Sequence, residues 1–449
     1  MVRAPDEPEP CCVSGLLQRT IPVLRWAPRY TRAAFADDAL AAAIVTIMLI
    51  PQSLAYALIA GLPPETGLYA SMLPLVAYAI FGTSTALAVG PVAVVSLMTA
   101  ATVGDFAVRG TADYASVALT LAFLTGLILI AMGALRLGFL ANFLSHPIMS
   151  AFITASGVLI AAGQVKHILG VEAEGDTLVE IAASLAAHIG ATHSPTLLIG
   201  AAVIGFLVFS RNSLKPLLLR AGLKNRAASM IARAAPLAGV FASIGAVAAM
   251  GLDARGVAIV GDTPSGLPPF AAPAFDAEIW RSLLGPALLI AVIGYVESVS
   301  VAQTLAAKRD EKIDLDQELI GLGAANVAAG VSGGFPVTGG FARSVVNFDA
   351  GARTPASGAF AAIGIALAAM FLTPLLHDLP KATLAATIIV AVLALVDIGA
   401  MRRTLRYSRG DFAAMMATVA GVFAFGVEAG VVAGVILSIL FLLCRASRP

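Results

Sequence analysis

Between Ser332 and Phe348 the chain reads S-G-G-F-P-V-T-G-G-F-A-R-S-V-V-N-F, with four glycines, a proline and Arg343 set inside an apolar region. About 20 uninterrupted apolar residues would make a plain membrane span. This stretch instead predicts an extended, glycine-broken half from Gly333 to Gly340, followed by a helical half from Phe341 to Asp349. Irregular backbone survives inside a bilayer only where protein buries it or where it lines a cavity, because lipid offers nothing to its N–H and C=O groups. A half-helix that begins at mid-membrane aims its positive dipole end and unpaired N–H groups at that cavity, and Arg343 adds a full charge. The expected guest is an anion.

The remaining chain is built to hold such a stretch in lipid. Of its 449 residues 59% are hydrophobic and 12% charged, with a mean hydropathy of +0.91, far from the roughly 25% charged residues of soluble domains. The fold class expected is an all-α polytopic membrane protein. Cys11, Cys12 and Cys444 form neither a disulfide framework nor a metal-ligand spacing. Residues 1–34 are polar, proline-rich and basic, without the apolar core of a signal peptide. They are expected to be a cytoplasmic lead-in, with the first span retained.

Apolar stretches fall near 39 to 60, 67 to 82, 86 to 104, 115 to 135, 143 to 163, 195 to 210, 235 to 251, 283 to 306, 317 to 331, 332 to 350, 354 to 375, 381 to 396, 411 to 425 and 427 to 444. These are fourteen transmembrane segments, of which the third and tenth are broken. Loop charge supports the count through the excess of Lys and Arg in cytoplasmic loops. Arg211, Lys215, Arg220, Lys224, Arg226 and Arg233 follow segment six, Lys308, Arg309 and Lys312 follow segment eight, and Arg402, Arg403, Arg406 and Arg409 follow segment twelve. Loops on the other side lean acidic, with Glu172, Glu174, Asp176 and Glu180 after segment five and Asp253, Asp262, Asp276 and Glu278 after segment seven. Both termini are then cytoplasmic.

A weak internal repeat reinforces this order. Glu65-Thr-Gly-Leu-Tyr-Ala leads to Phe81-Gly-Thr-Ser and Ala86-Leu-Ala-Val-Gly-Pro-Val, much as Glu318-Leu-Ile-Gly-Leu-Gly leads to Val331-Ser-Gly-Gly and Phe335 to Val346. An offset of seven segments inverts the second copy, giving a 7+7 inverted repeat. Segments three and ten become mates, each a short extended strand followed by a half-helix, with Pro91 suited to a first helical turn. Two half-helix N-termini would face one another near the midplane.

At these residues the chain resembles a known family. Pro51-Gln-Ser-Leu-Ala-Tyr-Ala-Leu-Ile-Ala-Gly-Leu-Pro-Pro-Glu-Thr-Gly-Leu-Tyr-Ala-Ser is similar to the signature of the SulP sulfate-permease family of anion transporters. Gly90-Pro-Val-Ala-Val-Val-Ser-Leu-Met, Tyr295-Val-Glu-Ser, Asp316-Gln-Glu-Leu-Ile-Gly-Leu-Gly-Ala-Ala-Asn and Gly339-Gly-Phe-Ala-Arg-Ser follow in the family's order from about 35 to 445. The resemblance implies a transmembrane domain over 35–445. Its core would comprise segments 1–4 and 8–11, about 35–136 and 282–376, and its gate segments 5–7 and 12–14, about 137–281 and 377–445. It also implies an anion site lined by Gln52 and Tyr56, Pro91 and Val92, and Gly340, Phe341, Ala342 and Arg343, with Glu297 as the acidic residue of segment eight. Two departures stand out. Some relatives have serines where this chain has Gly340 and Ala342, which shifts the ligand's support toward backbone N–H groups. The cytoplasmic STAS domain usual after the last span is missing from this chain, as a truncation or as a naturally short form.

The residues admit these roles on chemical grounds. Glu297 stands in a charge-free run, where a carboxylate costs about 2.5 to 3.5 kcal/mol on insertion scales and needs a partner, water or a proton. It is a candidate proton carrier, or a structural partner of Arg343. Arg343 otherwise would be a helix-end arginine reaching for the interface. Gln52 and Tyr56, one turn apart, share a helix face, which core packing also explains. Pro51 would kink segment one. Asn326, Asn347 and Asp349 are expected to bond helix to helix, Glu428 to sit at the membrane boundary, and His188 and His193 to lie in a loop. Gly334 to Gly339 has phosphate-loop spacing, but Gly340 stands where that motif needs lysine. No catalytic constellation is present, and neither an enzyme nor a cofactor is expected.

The sequence therefore predicts a secondary active anion transporter of the inner (cytoplasmic) membrane, with sulfate, dicarboxylate or bicarbonate as substrate class. Proton-coupled symport by alternating access is the expected mode. An exchanger, a passive channel or motor-like protein, and a nucleobase transporter are the alternatives. Expected partners are the small anion, protons, the lipid bilayer and, in full-length form, a second copy in a homodimer, with no nucleic acid.

Overall fold

The computed structural model describes residues 20–108, 111–142, 146–175, 177–261, 266–268, 270–394 and 396–426, with 429, 430, 433, 436 and 437 beyond them. Helix α1, Arg32–Ile59, starts at Thr31, whose hydroxyl accepts from the Ala34 N–H, and runs on through Pro51. Proline has no N–H to give, so the helix passes that position without its usual bond. Two short helices, α2 (Pro64–Tyr69) and α3 (Leu73–Phe81), lead to strand β1 (Val89–Gly90) and half-helix α4 (Ala93–Gly104). Then come α5 (Ala112–Ala134), α6 (His146–Leu169), α7 (Leu178–His188) and α8 (Ser194–Phe209). A π-turn over Ser210–Leu214 joins α8 to α9 (Lys215–Arg220), and α10 (Asn225–Met250) follows.

The second half begins with α11 (Ala277–Ala307) and α12 (Leu315–Val331), opened by Asp276 and Asp314, whose carboxylates accept from first-turn N–H groups. Strand β2 (Thr338–Gly339) and half-helix α13 (Phe341–Ala350) come next, then α14 (Ala356–Phe371), α15 (Lys381–Leu393), α16 (Ile398–Tyr407) and α17 (Arg409–Phe425). The first thirteen apolar stretches all fall on these elements. The fourteenth, with Glu428 and Cys444, lies largely outside the described residues. Among the described residues six helices are long and apolar enough to cross a membrane, while Ala93–Gly104 and Ala356–Phe371 are shorter apolar helices.

Several expected loops are helical. The acidic connection after segment five contains α7, opened by a capping box in which Thr177 and Glu180 bond each other's backbone N–H groups. His188 ends that helix, while His193 lies in the loop just before α8, as expected, without a side-chain cap bond. The basic run after segment six is carried by the π-turn, α9 and the first turns of α10, and the run after segment twelve by α16. Charge made these stretches look like loops, but each is largely helical.

Packing relies on small residues. Helices α5 and α12 touch backbone to backbone: a Cβ on Gly126 would fall 2.6 Å from the Val327 nitrogen, and one on Gly323 2.8 Å from the Gly126 oxygen. Such glycines let helices approach where lipid supplies no hydrophobic drive. Elsewhere α6 packs on α15 and α17, and α8 on α15. Helix α1 touches α13 and α14 and also α10 and α15.

Among the described residues Asp38 and Glu318 are fully buried carboxylates, and both hold backbone. Asp38 accepts from the Arg353 and Thr354 N–H groups at 2.6 and 3.2 Å, and from the Tyr30 and Thr354 hydroxyls. Glu318 accepts from Tyr78 Oη at 2.7 Å, Thr83 N at 2.8 Å, Thr83 Oγ1 at 2.5 Å and Ser84 N at 3.0 Å. A buried charge of this kind is tolerable only with donors around it. The donors to Glu318 belong to the chain segment that leads into β1, and the backbone donors to Asp38 to the segment between α13 and α14.

Candidate functional site

Strands β1 and β2 pair antiparallel, Val89 with Gly339 and Gly90 with Thr338, so the two broken segments cross. This crossing leaves extended backbone in the interior, where every polar group needs a partner. Asn326 of α12 supplies two bonds, accepting from Val337 N at 2.9 Å and donating to Val337 O at 2.8 Å. Ser298 of α11 accepts from Gly339 N at 2.8 Å and meets the Thr338 hydroxyl at 2.6 Å. Ser344 accepts from Ala88 N at 3.0 Å, and Asn347 donates to Ala86 O at 3.2 Å. Asn326 therefore fastens the extended backbone that leads into β2, while Asn347 does both, holding the segment before β1 and donating to Ser357 Oγ at 3.1 Å, a bond from helix Phe341–Ala350 to helix Ala356–Phe371.

From the crossing, α4 and α13 begin at Val92 and Gly340, and neither start carries a side-chain cap. Uncapped starts leave first-turn N–H groups and the positive dipole end for whatever occupies the space before them. At its far end α13 is closed by Arg309, whose Nη1 donates to Ala352 O at 2.6 Å and whose guanidinium lies 4.2 Å from the Phe348 ring centre. The half-helix is thus fixed at both ends.

Arg343 sits in the first turn of α13 and is 2% exposed. Its Nη2 makes one long contact to Thr338 O, 3.5 Å, while Nη1 is buried without a hydrogen-bond partner among the described residues. Two glycines make room for it: a Cβ on Gly340 would fall 2.7 Å from Nε, and one on Gly90 2.9 Å from Nη1. Glu297 of α11 and Tyr56 of α1, both buried, lie within its electrostatic reach. Neither forms a hydrogen bond or ion pair with it among the described residues. The ion pair considered between Glu297 and Arg343 is absent in this arrangement.

All nine residues singled out from the sequence line one cavity of about 440 Å³: Gln52, Tyr56, Pro91, Val92, Glu297, Gly340, Phe341, Ala342 and Arg343. The helical face that brings Gln52 and Tyr56 there also brings Met48, a turn earlier. That periodicity was readable. The opposite wall was not: Ser210, Arg211, Lys215, Ser229, Pro236 and Thr387 reach the cavity from α8 to α10 and from α15. Arg211 and Lys215 had read only as loop charge. Chemically, the cavity offers two helix starts, backbone N–H groups and cations, against the single carboxylate of Glu297.

Residues 35–418 match the Sulfate permease family. A probable sulfate transporter of Mycobacterium tuberculosis is 36% identical over 435 residues, covering 94% of this chain and 74% of the relative. The chloroplastic sulfate transporter 4.1 of Arabidopsis thaliana is 36% identical over 431 residues, covering 95% of this chain and 61% of the relative. Among solved structures, the murine Solute Carrier 26 member A9 anion transporter superposes with a TM-score of 0.85 at 24% identity, covering 98% of this chain and 74% of that one. The transmembrane domain of a cyanobacterial bicarbonate transporter, BicA, gives 0.75 at 20% identity, covering 91% and 98%. At these identities the structural likeness speaks for the fold, while the matches in sequence carry the family. The chain belongs to the sulfate permease family and is a membrane anion transporter, not an enzyme.

Proposed function

We propose that this protein is a proton-coupled anion symporter working by alternating access, with sulfate as first substrate and bicarbonate or a small dicarboxylate as the alternatives of the same chemistry. The observation that carries the proposal is the place of Arg343, buried at the mouth of two uncapped half-helices in the cavity that Glu297 also lines. In this reading the anion sits between Val92 and Gly340, held by first-turn N–H groups and the guanidinium. Gln52, Tyr56, Pro91, Phe341 and Ala342 shape the space. Glu297 carries the proton: while charged it competes for Arg343, and on protonation it frees the guanidinium for the anion. Sulfate is placed first because the relatives sharing about a third of their residues are named sulfate transporters.

The moving parts proposed are a core of segments 1–4 and 8–11 and a gate of segments 5–7 and 12–14, arranged as a 7+7 inverted repeat. The contacts of α1 with α13 and α14 of the one group and α10 and α15 of the other suit such a division, and the antiparallel crossing of β1 and β2 is what two oppositely oriented copies would make. Basic residues on one side, among them Arg211, Lys215 and Arg402, favour cytoplasmic termini in the inner membrane. A homodimer is proposed for the full-length protein.

The test is radiolabelled sulfate, bicarbonate and fumarate uptake into proteoliposomes, with and without an inward proton gradient, for wild type and Glu297→Gln. Gradient-driven uptake of one anion, lost in the variant, is the expected result. Uptake indifferent to the gradient and unchanged in Glu297→Gln would make the protein an exchanger or channel and leave Glu297 a structural role.

A further inference from the structure

The Arg343 cavity has a second cationic wall. Arg211, in the π-turn that ends α8, and Lys215, at the start of α9, line the same cavity as Arg343 and Glu297 but stand on other elements than the α13 and α11 that carry that pair. Across the π-turn the two residues open onto the same cavity. Their side chains are exposed, so their charges are available to solvent and cavity alike. Arg211 is steadied by a long bond from Nη1 to Val390 O, 3.5 Å, on the neighbouring α15, another wall of the cavity. Beside it Ser210 is 3% exposed, and its hydroxyl has no partner among the described residues. Among the described residues the lining holds three cations, with Arg343, against one carboxylate, Glu297.

We infer that Arg211 and Lys215 form an outer anion station, a capture site through which the anion passes before it reaches Arg343. The inference rests on the proposed anion transport and adds to it the residues that set capture. Placing this pair for cytoplasmic topology alone explains basic charge anywhere on that side of the membrane. It does not explain why two of these residues open onto the cavity while Arg220, on the same short helix, does not line it. Charges lining a low-dielectric cleft focus the field and raise the local concentration and arrival rate of the opposite charge by 10-fold or more. Because the station and Arg343 belong to different walls, movement of one wall past the other changes the distance between them. An anion can then be handed inward on one side of the membrane only.

The test is sulfate uptake kinetics in proteoliposomes for wild type, Arg211→Gln/Lys215→Gln, Arg211→Lys/Lys215→Arg and the control Arg220→Gln, at low ionic strength and in about 1 M of a non-transported salt, where screening acts within about 3 Å. The double glutamine variant is expected to raise KM roughly tenfold at low salt, with Vmax falling less than twofold and the KM difference collapsing at high salt. The charge-preserving pair and Arg220→Gln should keep the wild-type KM. A wild-type KM in the double glutamine variant would overturn the station, as would an equal rise in Arg220→Gln, which would reduce the effect to general surface charge. If wild type moves no anion at all, the transport reading falls and the station with it, whereas a failed station leaves wild-type uptake intact.

Discussion

Arg343 lies across Gly340 so closely that a Cβ on the glycine would fall 2.7 Å from the arginine Nε. The three atoms nearest that Cβ all belong to the Arg343 side chain, so Gly340→Ala is expected to move the guanidinium and leave the strand pair in place. A displaced charge should raise the anion KM about tenfold, equal to about 1.4 kcal/mol of binding, with thermal stability close to wild type. Gly90→Ala would also press on Nη1, but Gly90 holds a φ of 157° that strains an L side chain, so this variant is expected to raise KM and to lower thermal stability as well. Uptake kinetics with a thermal melt on the same preparation checks this. Wild-type KM in both variants would mean that the position of the guanidinium does not matter.

Arg343→Ala tests the charge itself. An anion bound only to the folded state stabilises it by about 2.7 kcal/mol at 100 times Kd, so sulfate should raise the melting midpoint of wild type. In the variant that shift is expected to vanish. Without anion the variant should melt no lower than wild type, since it removes a buried guanidinium whose Nη1 has no partner among the described residues. A sulfate-induced shift retained in full would take Arg343 out of the site.

What was legible in the sequence was what local chemistry writes. Glycine and proline interruptions in apolar segments marked both half-helices, and the run around Arg343 located the cavity. The spacing of Gln52 and Tyr56 put them on one face. Partners brought together from far along the chain were hidden. Nothing near Glu318 announces that Thr83 and Ser84 bond it across more than two hundred residues, and nothing near Asp38 announces Thr354. The helices Leu178–His188 and Ile398–Tyr407 read as loops because their polar faces broke the apolar signal. Arg211 and Lys215 failed to register for a related reason, since charge at the end of a span has an ordinary explanation in topology.

Asn326→Leu probes how the crossing is held. Leucine keeps the branching and heavy-atom number of asparagine, with bulkier methyl ends, but removes both bonds to Val337, leaving a backbone N–H and C=O without those partners in the interior. Each orphaned group costs about 1–3 kcal/mol, so a loss of several kcal/mol is expected, seen as a lower melting midpoint and reduced yield. The surviving protein should also transport poorly, because β2 carries α13 and Arg343 with it. A variant that melts and transports like wild type would show that the strand pair holds its register without Asn326.

Glu318 and Glu297 are both buried carboxylates, and their surroundings separate their roles. Glu318 is engaged as an acceptor by Tyr78, Thr83 and Ser84, whereas Glu297 accepts no hydrogen bond among the described residues and lines the cavity. A glutamine at 318 keeps an oxygen for Thr83 and Ser84 and turns its amide toward Tyr78, whose hydroxyl can reverse to accept. Glu318→Gln should therefore lose only the charge-assisted part of these bonds, about 1–3 kcal/mol, and fold. Glu318→Ala strands every donor and should fail to give folded protein. The discriminating readout is uptake driven by a proton gradient: Glu318→Gln is expected to keep it and Glu297→Gln to lose it. If Glu318→Gln folds and loses the gradient response, Glu318 belongs to the proton path and the assignment of coupling to Glu297 alone is wrong.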